Sequence, residues 1–328
     1  MRKQAFFYGG IIAVSFLWTG SAFISVTYHM MAFFSSAQLD MYMSVGGYLA
    51  QVLGMAAVAA GAYLRPEVFQ KRHFFSVVMI LEAVVITAAL QSSVAMAVLL
   101  LSFAMNLLHG AVAGCYLANL AAFVPQQYRG RTFGFGYAVG CVGSWLFSIA
   151  GDGNFLGSSA MVFVYLFLIA LTLLLNFKAE DIRTGTNITE DGGGLKPKLL
   201  FLTFAVVLLL SLVKNIGFYF PVADFSHIVN LEFSRAFYAI GLVAAGIVND
   251  KNRKYGAICC LAALVFPFIS IVLPEGGGYA AAIWIAGYIF FGFFSVYRVV
   301  VFSDIAAMKL SFLPLAAFGL LAGRTGDA

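Results

Sequence analysis

The sequence predicts an all-α, polytopic bundle of membrane-spanning helices, and three observations predict it. Residues of the hydrophobic set make up 62% of the 328, while Asp, Glu, Lys and Arg make up only 10%. A soluble domain carries roughly 25% charged residues because water has to wet its surface, so lipid must cover this one. The apolar residues also come in runs that match the about 20 needed to cross a hydrocarbon core as a helix. Finally, basic residues gather at alternate breaks between those runs, as in a chain that crosses repeatedly and keeps one side positive.

Hydropathy places ten spans at about residues 5–34, 42–64, 74–92, 94–123, 133–152, 158–177, 199–220, 233–248, 256–273 and 279–302. Backbone groups in lipid must be satisfied internally, which makes these spans helices. The start, Met1-Arg2-Lys3, has the charge of a signal peptide, but the apolar run continues to about Phe34. That is too long for a cleaved core, so it is read as the first span. An eleventh span begins near Leu310 and meets Arg324 early. From Leu310 to Gly323 an α-helix reaches only ~21 Å against a core of ~30 Å, which favours a span cut short over one continuing through Arg324.

With Met1 in the cytoplasm, all but four of the 19 Lys and Arg (Lys214, Arg235, Arg298 and Arg324) fall on inner segments. The outer loops hold Asp40, Asp152, Asp224, Glu232 and Glu275 and no basic residue. This asymmetry puts the amino terminus in the cytoplasm of a cell that carries the chain in its plasma or inner membrane. The longest loop, 178–198, is polar and centred on Gly192-Gly193-Gly194, and reads as a flexible cytoplasmic linker. It divides the chain into a six-helix half, 1–177, and an incomplete second half, 199–328. Asn187-Ile188-Thr189 in this loop matches a glycosylation sequon by chance.

Cys115, Cys141, Cys259 and Cys260 all lie in apolar stretches and form neither a disulfide framework nor a metal spacing. No nucleotide-binding loop or catalytic triad is present, so the sequence implies no enzyme, no ATP-driven pump and no cofactor.

Six spans, a long inner loop and a second set of spans resemble the layout of the major facilitator superfamily. The loop Gly246-Ile247-Val248-Asn249-Asp250-Lys251-Asn252-Arg253-Lys254 resembles its inner-loop motif, in which Gly246 lets helices approach, Asp250 caps a helix end, and Arg253 and Lys254 sit at the inner surface. The equivalent first-half loop departs from the pattern, with Arg65 where an acid is expected. Arg129-Gly130-Arg131 after Pro125 resembles another feature of the superfamily, and Gly136 and Gly140 are spaced for close helix contact. The resemblance implies a facilitator-type 6+6 fold, here with about 11 spans, and a cavity lined by spans one, four, seven and ten. The region from Asn249-Asp250 through Cys259-Cys260-Leu261 to Tyr297-Arg298 is also similar to the facilitator-like membrane domain of LuxR-type regulators.

Ionisable groups inside a bilayer are costly and mark pathways or pair with one another. Under the superfamily layout, substrate-binding candidates are Tyr28 and His29 on span one, Asn106 and His109 on span four, Lys214 and Asn215 on span seven, and Tyr297 and Arg298 on span ten. Ser21, Ser25 and Tyr28 share a helix face, as do Asn106 and His109. Lys214 either snorkels to the outer surface or lines the cavity; for Arg298, near the inner end, snorkelling is favoured. Glu82 lies near the middle of span three with no basic neighbour on its own helix. An ionised carboxylate there is costly without a cation, so Glu82 is a proton-coupling candidate beside a structural hydrogen-bonding role. These readings point to a secondary active or facilitative transporter of a small solute working by alternating access, with solute and lipid bilayer as partners and no nucleic acid bound by this chain itself. The alternative is the ligand-sensing membrane domain of a helix-turn-helix regulator.

Overall fold

The computed structural model describes residues 2–65, 72–149, 156–182, 185–188, 196–225, 231–272 and 278–327, without the side chains of 2, 72, 214–225, 231–235, 266–272, 278–281 and 327. Eleven helices and no strand occur among them. They are α1 (Arg2–Met30), α2 (Ser36–Leu64), α3 (Arg72–Gln91), α4 (Ala95–Phe123), α5 (Gln126–Ile149) and α6 (Ser158–Asp181). Then follow α7 (Pro197–Phe225), α8 (Leu231–Lys251), α9 (Arg253–Val272) and α10 (Gly278–Ala306), and α11, wound as a 3₁₀-helix over Leu310–Ala317 and as an α-helix over Phe318–Asp327. Seven of them (α1 to α6, and α10 over Ala282–Ala306) are long and apolar enough to cross a membrane. The protein is a multi-pass membrane helix bundle.

Local sequence explains the irregular pieces. Ser35 and Gln38 form a reciprocal capping box that starts α2. The turns that follow, Asp40–Gly47, are π-helical, and they bring Gly46 against the Phe103 ring and Gly47 against the Asn106 amide on α4. Helix α5 begins at Gln126, earlier than hydropathy indicates, because its polar first turns are held by partners at the bundle end. Helix α11 corrects the expectation of a broken span: it runs through Arg324 to Asp327. A 3₁₀ turn rises ~2.0 Å per residue and an α turn 1.5 Å, so the two pieces together reach about 31 Å, the thickness of a hydrocarbon core.

The helices touch through glycine. A Cβ on Gly54 would run into the Leu107 carbonyl and one on Gly110 into the Gln51 carbonyl, so α2 and α4 cross backbone to backbone. Gly136 and Gly140 play the same part between α5 and α1, where a Cβ on Gly136 would lie 2.8 Å from the Gly9 oxygen. Gly130, Gly134 and Gly246 join α5 to α8, and Gly241 and Gly292 join α8 to α10. Lipid gives no hydrophobic drive for helix association, so close van der Waals contact at small residues has to supply it.

Gly110→Val is therefore expected to lower the unfolding free energy by about 1–3 kcal/mol or more through forced separation of α2 and α4. Gly287→Ala, where an added Cβ meets nothing within 4 Å, is the control. Thermal unfolding in detergent checks this, and equal midpoints for the two variants would refute the glycine account.

Candidate functional site

Two polar assemblies stand out. The first is a cavity of about 230 Å³ lined by α1, α2, α4, α5 and α11. Its polar lining comprises Thr19 on α1, Tyr48 and Gln51 on α2, His109 and Tyr116 on α4, Ser144 on α5 and Arg324 on α11. The Arg324 guanidinium stands 4.8 Å from the centre of the Tyr48 ring, a cation–π distance. A volume below the ~300 Å³ typical of drug-sized ligands suits a small solute. Larger grooves of about 590 to 740 Å³ open between helices on the outside of the bundle and have mostly apolar walls, as lipid chains require.

Behind the cavity wall lies Glu82, fully buried on α3, with its Oε1 2.8 Å from Nε2 of His109. His109 is about 21 Å along α4 and Glu82 about 15 Å along α3, so the pair sits near mid-depth. At that distance the two side chains form a close carboxylate–imidazole pair. No other hydrogen-bond partner reaches the Glu82 carboxylate among the described residues. Neighbouring polar groups, in contrast, are matched. Gln51 Nε2 donates to Asn106 Oδ1 at 2.8 Å and Asn106 Nδ2 to the Ser102 carbonyl at 3.0 Å. Trp18 Nε1 donates to Thr172 Oγ1 at 3.2 Å, and the Ser25 and Tyr165 hydroxyls lie 2.6 Å apart.

The second assembly ties the helix ends where α5 starts and α8 and α10 finish. Asp250, buried at the end of α8, accepts from the backbone N–H groups of Gly130 (2.7 Å) and Arg131 (3.0 Å) and from Arg131 Nε (2.9 Å). Gly130 permits this approach, since a Cβ there would stand 2.7 Å from the carboxylate. Asp304 at the end of α10 pairs with Arg129 and Arg253, each at 2.8 Å. Arg129 is buried and also donates to the Val124 and Ala121 carbonyls. Arg253 reaches the Gln126 and Asn249 carbonyls and stands 3.5 Å from Asp250. The ends of four helices, α5, α8, α9 and α10, are thereby clamped together.

Of the residues singled out in the sequence, the structure brings Glu82 and His109 into contact and places Gly246, Asp250 and Arg253 in the clamp. Lys254 is exposed, with its backbone N–H on Asn252 Oδ1. Tyr28 is exposed, and the face it shares with Ser25 turns to α6. His29 Nε2 lies 2.9 Å from the Ser92 carbonyl. Tyr297 packs on the cluster around Cys260 and Trp284. The side chains of Lys214 and Asn215 on α7 fall outside the described residues. Arg298 does not snorkel: it is 4% exposed, stacked 5.2 Å from the Phe294 ring and pressed against Gly323 of α11. Its Nε and Nη1 have no hydrogen-bond acceptor among the described residues. Sequence reasoning passed over Arg324, Tyr48 and Gln51 as cavity residues. The signal available for Arg324 was a lone cation interrupting an apolar run.

No family model matches this sequence, and no curated protein matches it. Its fold is that of a solved transporter. A crystal structure of the human organic anion transporter MFSD10 (TETRAN) superposes with a TM-score of 0.67 at 12% sequence identity, covering 98% of this chain and 92% of that one. The chain has the facilitator-type membrane fold.

Asp304→Asn removes the acid from two ion pairs. The expected loss is roughly 1–3 kcal/mol, below the ~3–5 of a fully buried pair because Asp304 is 18% exposed. A cysteine placed at the buried Ala245, beside Gly246, should react faster with maleimide in this variant than in a parent without the native cysteines. An unchanged labelling rate would mean that the clamp does not hold this end closed.

Proposed function

We propose that the protein is a secondary transporter that carries a small organic anion across a plasma or inner membrane by alternating access. In this reading residues 1–177 and 199–328 rock against each other about the central cavity, joined by the linker 178–198, and the amino terminus is cytoplasmic. The observation that carries the reading is a small mid-depth cavity with the cation Arg324 in its wall, next to helix ends clamped by Arg–Asp pairs. Such a cavity serves a carrier when access to it alternates, and ion pairs between spans can form and break with that movement.

The charge of the wall favours an anion. Arg324 and, when protonated, His109 are its basic side chains, and no acid lines it among the described residues. In a medium of low dielectric a fixed cation attracts an anion far more strongly than in water. The fold shared with a solved organic anion transporter supports the same class. A carrier of this kind needs a solute and a bilayer as partners and no nucleic acid. The positive-inside distribution supports the orientation.

Proteoliposomes containing the full chain, offered radiolabelled benzoate, lactate and succinate with glucose as the neutral control, test this. Uptake of at least one anion is expected, with Arg324→Gln lowering it about tenfold or more and Arg324→Lys less. Arg65→Gln, exposed at the end of α2, should leave uptake unchanged. Absence of uptake of every anion by the wild type would overturn the reading.

A further inference from the structure

We propose that Glu82 and His109 together form a proton-loading site in the cavity wall, which couples the passage of each monovalent anion to that of one proton; the coupling rests on the transporter reading above.

The argument starts from satisfaction. Around the pair, every polar contact described above is made with good geometry: Gln51 with Asn106, Trp18 with Thr172, Ser25 with Tyr165. Glu82 is less well provided. A carboxylate offers about four acceptor positions, and the one close polar contact recorded for this carboxylate among the described residues is with His109. A group serving only to staple α3 to α4 would gain from more donors, and a neutral amide would serve without the cost of a buried charge. An acid kept in so bare a setting is suited to changing its charge.

The surroundings define what it can exchange with. Helices α1, α4 and α6 pack on α3. Only α4 brings a charged or basic group to Glu82, and that group is His109. On α6, the Tyr165 hydroxyl is taken by Ser25. His109 is the way out, since its ring lines the cavity. Arg324 of α11, Tyr48 of α2 and Tyr116 of its own helix line the same cavity.

The proton balance is simple. At rest the pair shares one proton, as imidazolium with carboxylate, and its net charge is zero. A second proton, arriving through the cavity, forms the O–H of Glu82 and leaves His109 as imidazolium, for a net charge of +1. The imidazolium, no longer neutralised by Glu82, then shares the cavity wall with Arg324. Two cations on the wall of one small cavity repel until an anion enters it. A monovalent anion cancels the added charge, so the loaded site has the same net charge as the empty one. Release on the other side returns the anion to water and the proton from Glu82. The cycle is electroneutral, driven by a pH difference and indifferent to voltage.

Infrared difference spectroscopy on the purified full chain, titrated from alkaline to acidic pH with and without carboxyl-labelled glutamate, reads the pair directly. A buried glutamic-acid C=O band is expected to grow in on acidification and to be lost in Glu82→Gln. If Glu82→Gln does not fold, His109→Gln should move the band's midpoint by about one pH unit or more. No titrating glutamate band in the wild type, a band that survives Glu82→Gln, or a midpoint untouched by His109→Gln would each overturn the proposal. In proteoliposomes that take up benzoate, lactate or succinate, an inside-alkaline gradient should raise uptake in the wild type and have no effect in Glu82→Gln. Uptake that ignores the gradient in the wild type would end the coupling claim. Absence of all uptake would instead count against the transporter reading, and the infrared titration would still decide the pair.

Discussion

Backbone lying directly on backbone is the contact on which this bundle depends. Inside lipid, leucine gains nothing by leaving one apolar surface for another, so helices hold together by how closely they approach. Gly54 and Gly110 set the α2–α4 crossing, and it is this crossing that brings Gln51 and Tyr48 to the same cavity as His109. Gly130 and Gly246 set the α5–α8 crossing, and only there can Asp250 reach two backbone N–H groups of α5. The polar assemblies are thus consequences of glycine placement, and each fails geometrically if the backbones part.

The buried charges follow one rule and depart from it in two places. At the clamped end each acid has its basic partner: Asp304 holds two arginines, and Asp250 combines Arg131 with a helix start that carries partial positive charge. At mid-depth the balance is looser. Glu82 has one partner of variable charge, and Arg298 lies buried over an aromatic ring. In a low-dielectric interior a loosely balanced charge raises the energy of the closed, empty protein, which is tolerable where a ligand or a proton will complete it.

Much of the fold was legible in the sequence because bilayer thickness makes a span nearly unmistakable. Nine of the ten spans placed by hydropathy begin and end within about six residues of a helix; the remaining one, α5, begins earlier still, its polar opening turns stabilised by Asp250 from a distant part of the chain. The glycine-and-acid loop around Gly246 and Asp250 was legible for the same reason: it is local. The Glu82–His109 contact was half legible. Each residue stood out as an ionisable group in lipid, but their meeting depends on the rotation of α3 against α4, which no period in either helix reveals. Arg324 was misread because a length argument that assumed α-helical rise ended the span before it. Arg298 was read by its nearness to a helix end, whereas the small residues of α11 leave room for it inside.

The winding of α11 has a consequence for the electrostatics of the bundle. Eight residues from Leu310 to Ala317, none of them in the cavity wall, lie between the helix start and the turn that carries Arg324. Wound as an α-helix, the same eight would be ~4 Å shorter and would lag by roughly 0.4 of a turn. The guanidinium would then stand lower in the membrane and aim at a different neighbour. Pro314, which lacks a backbone donor, sits in the middle of this tighter coil. The address of the cavity's cation, in both depth and azimuth, is therefore written in the pitch of a segment that never touches what the cation holds.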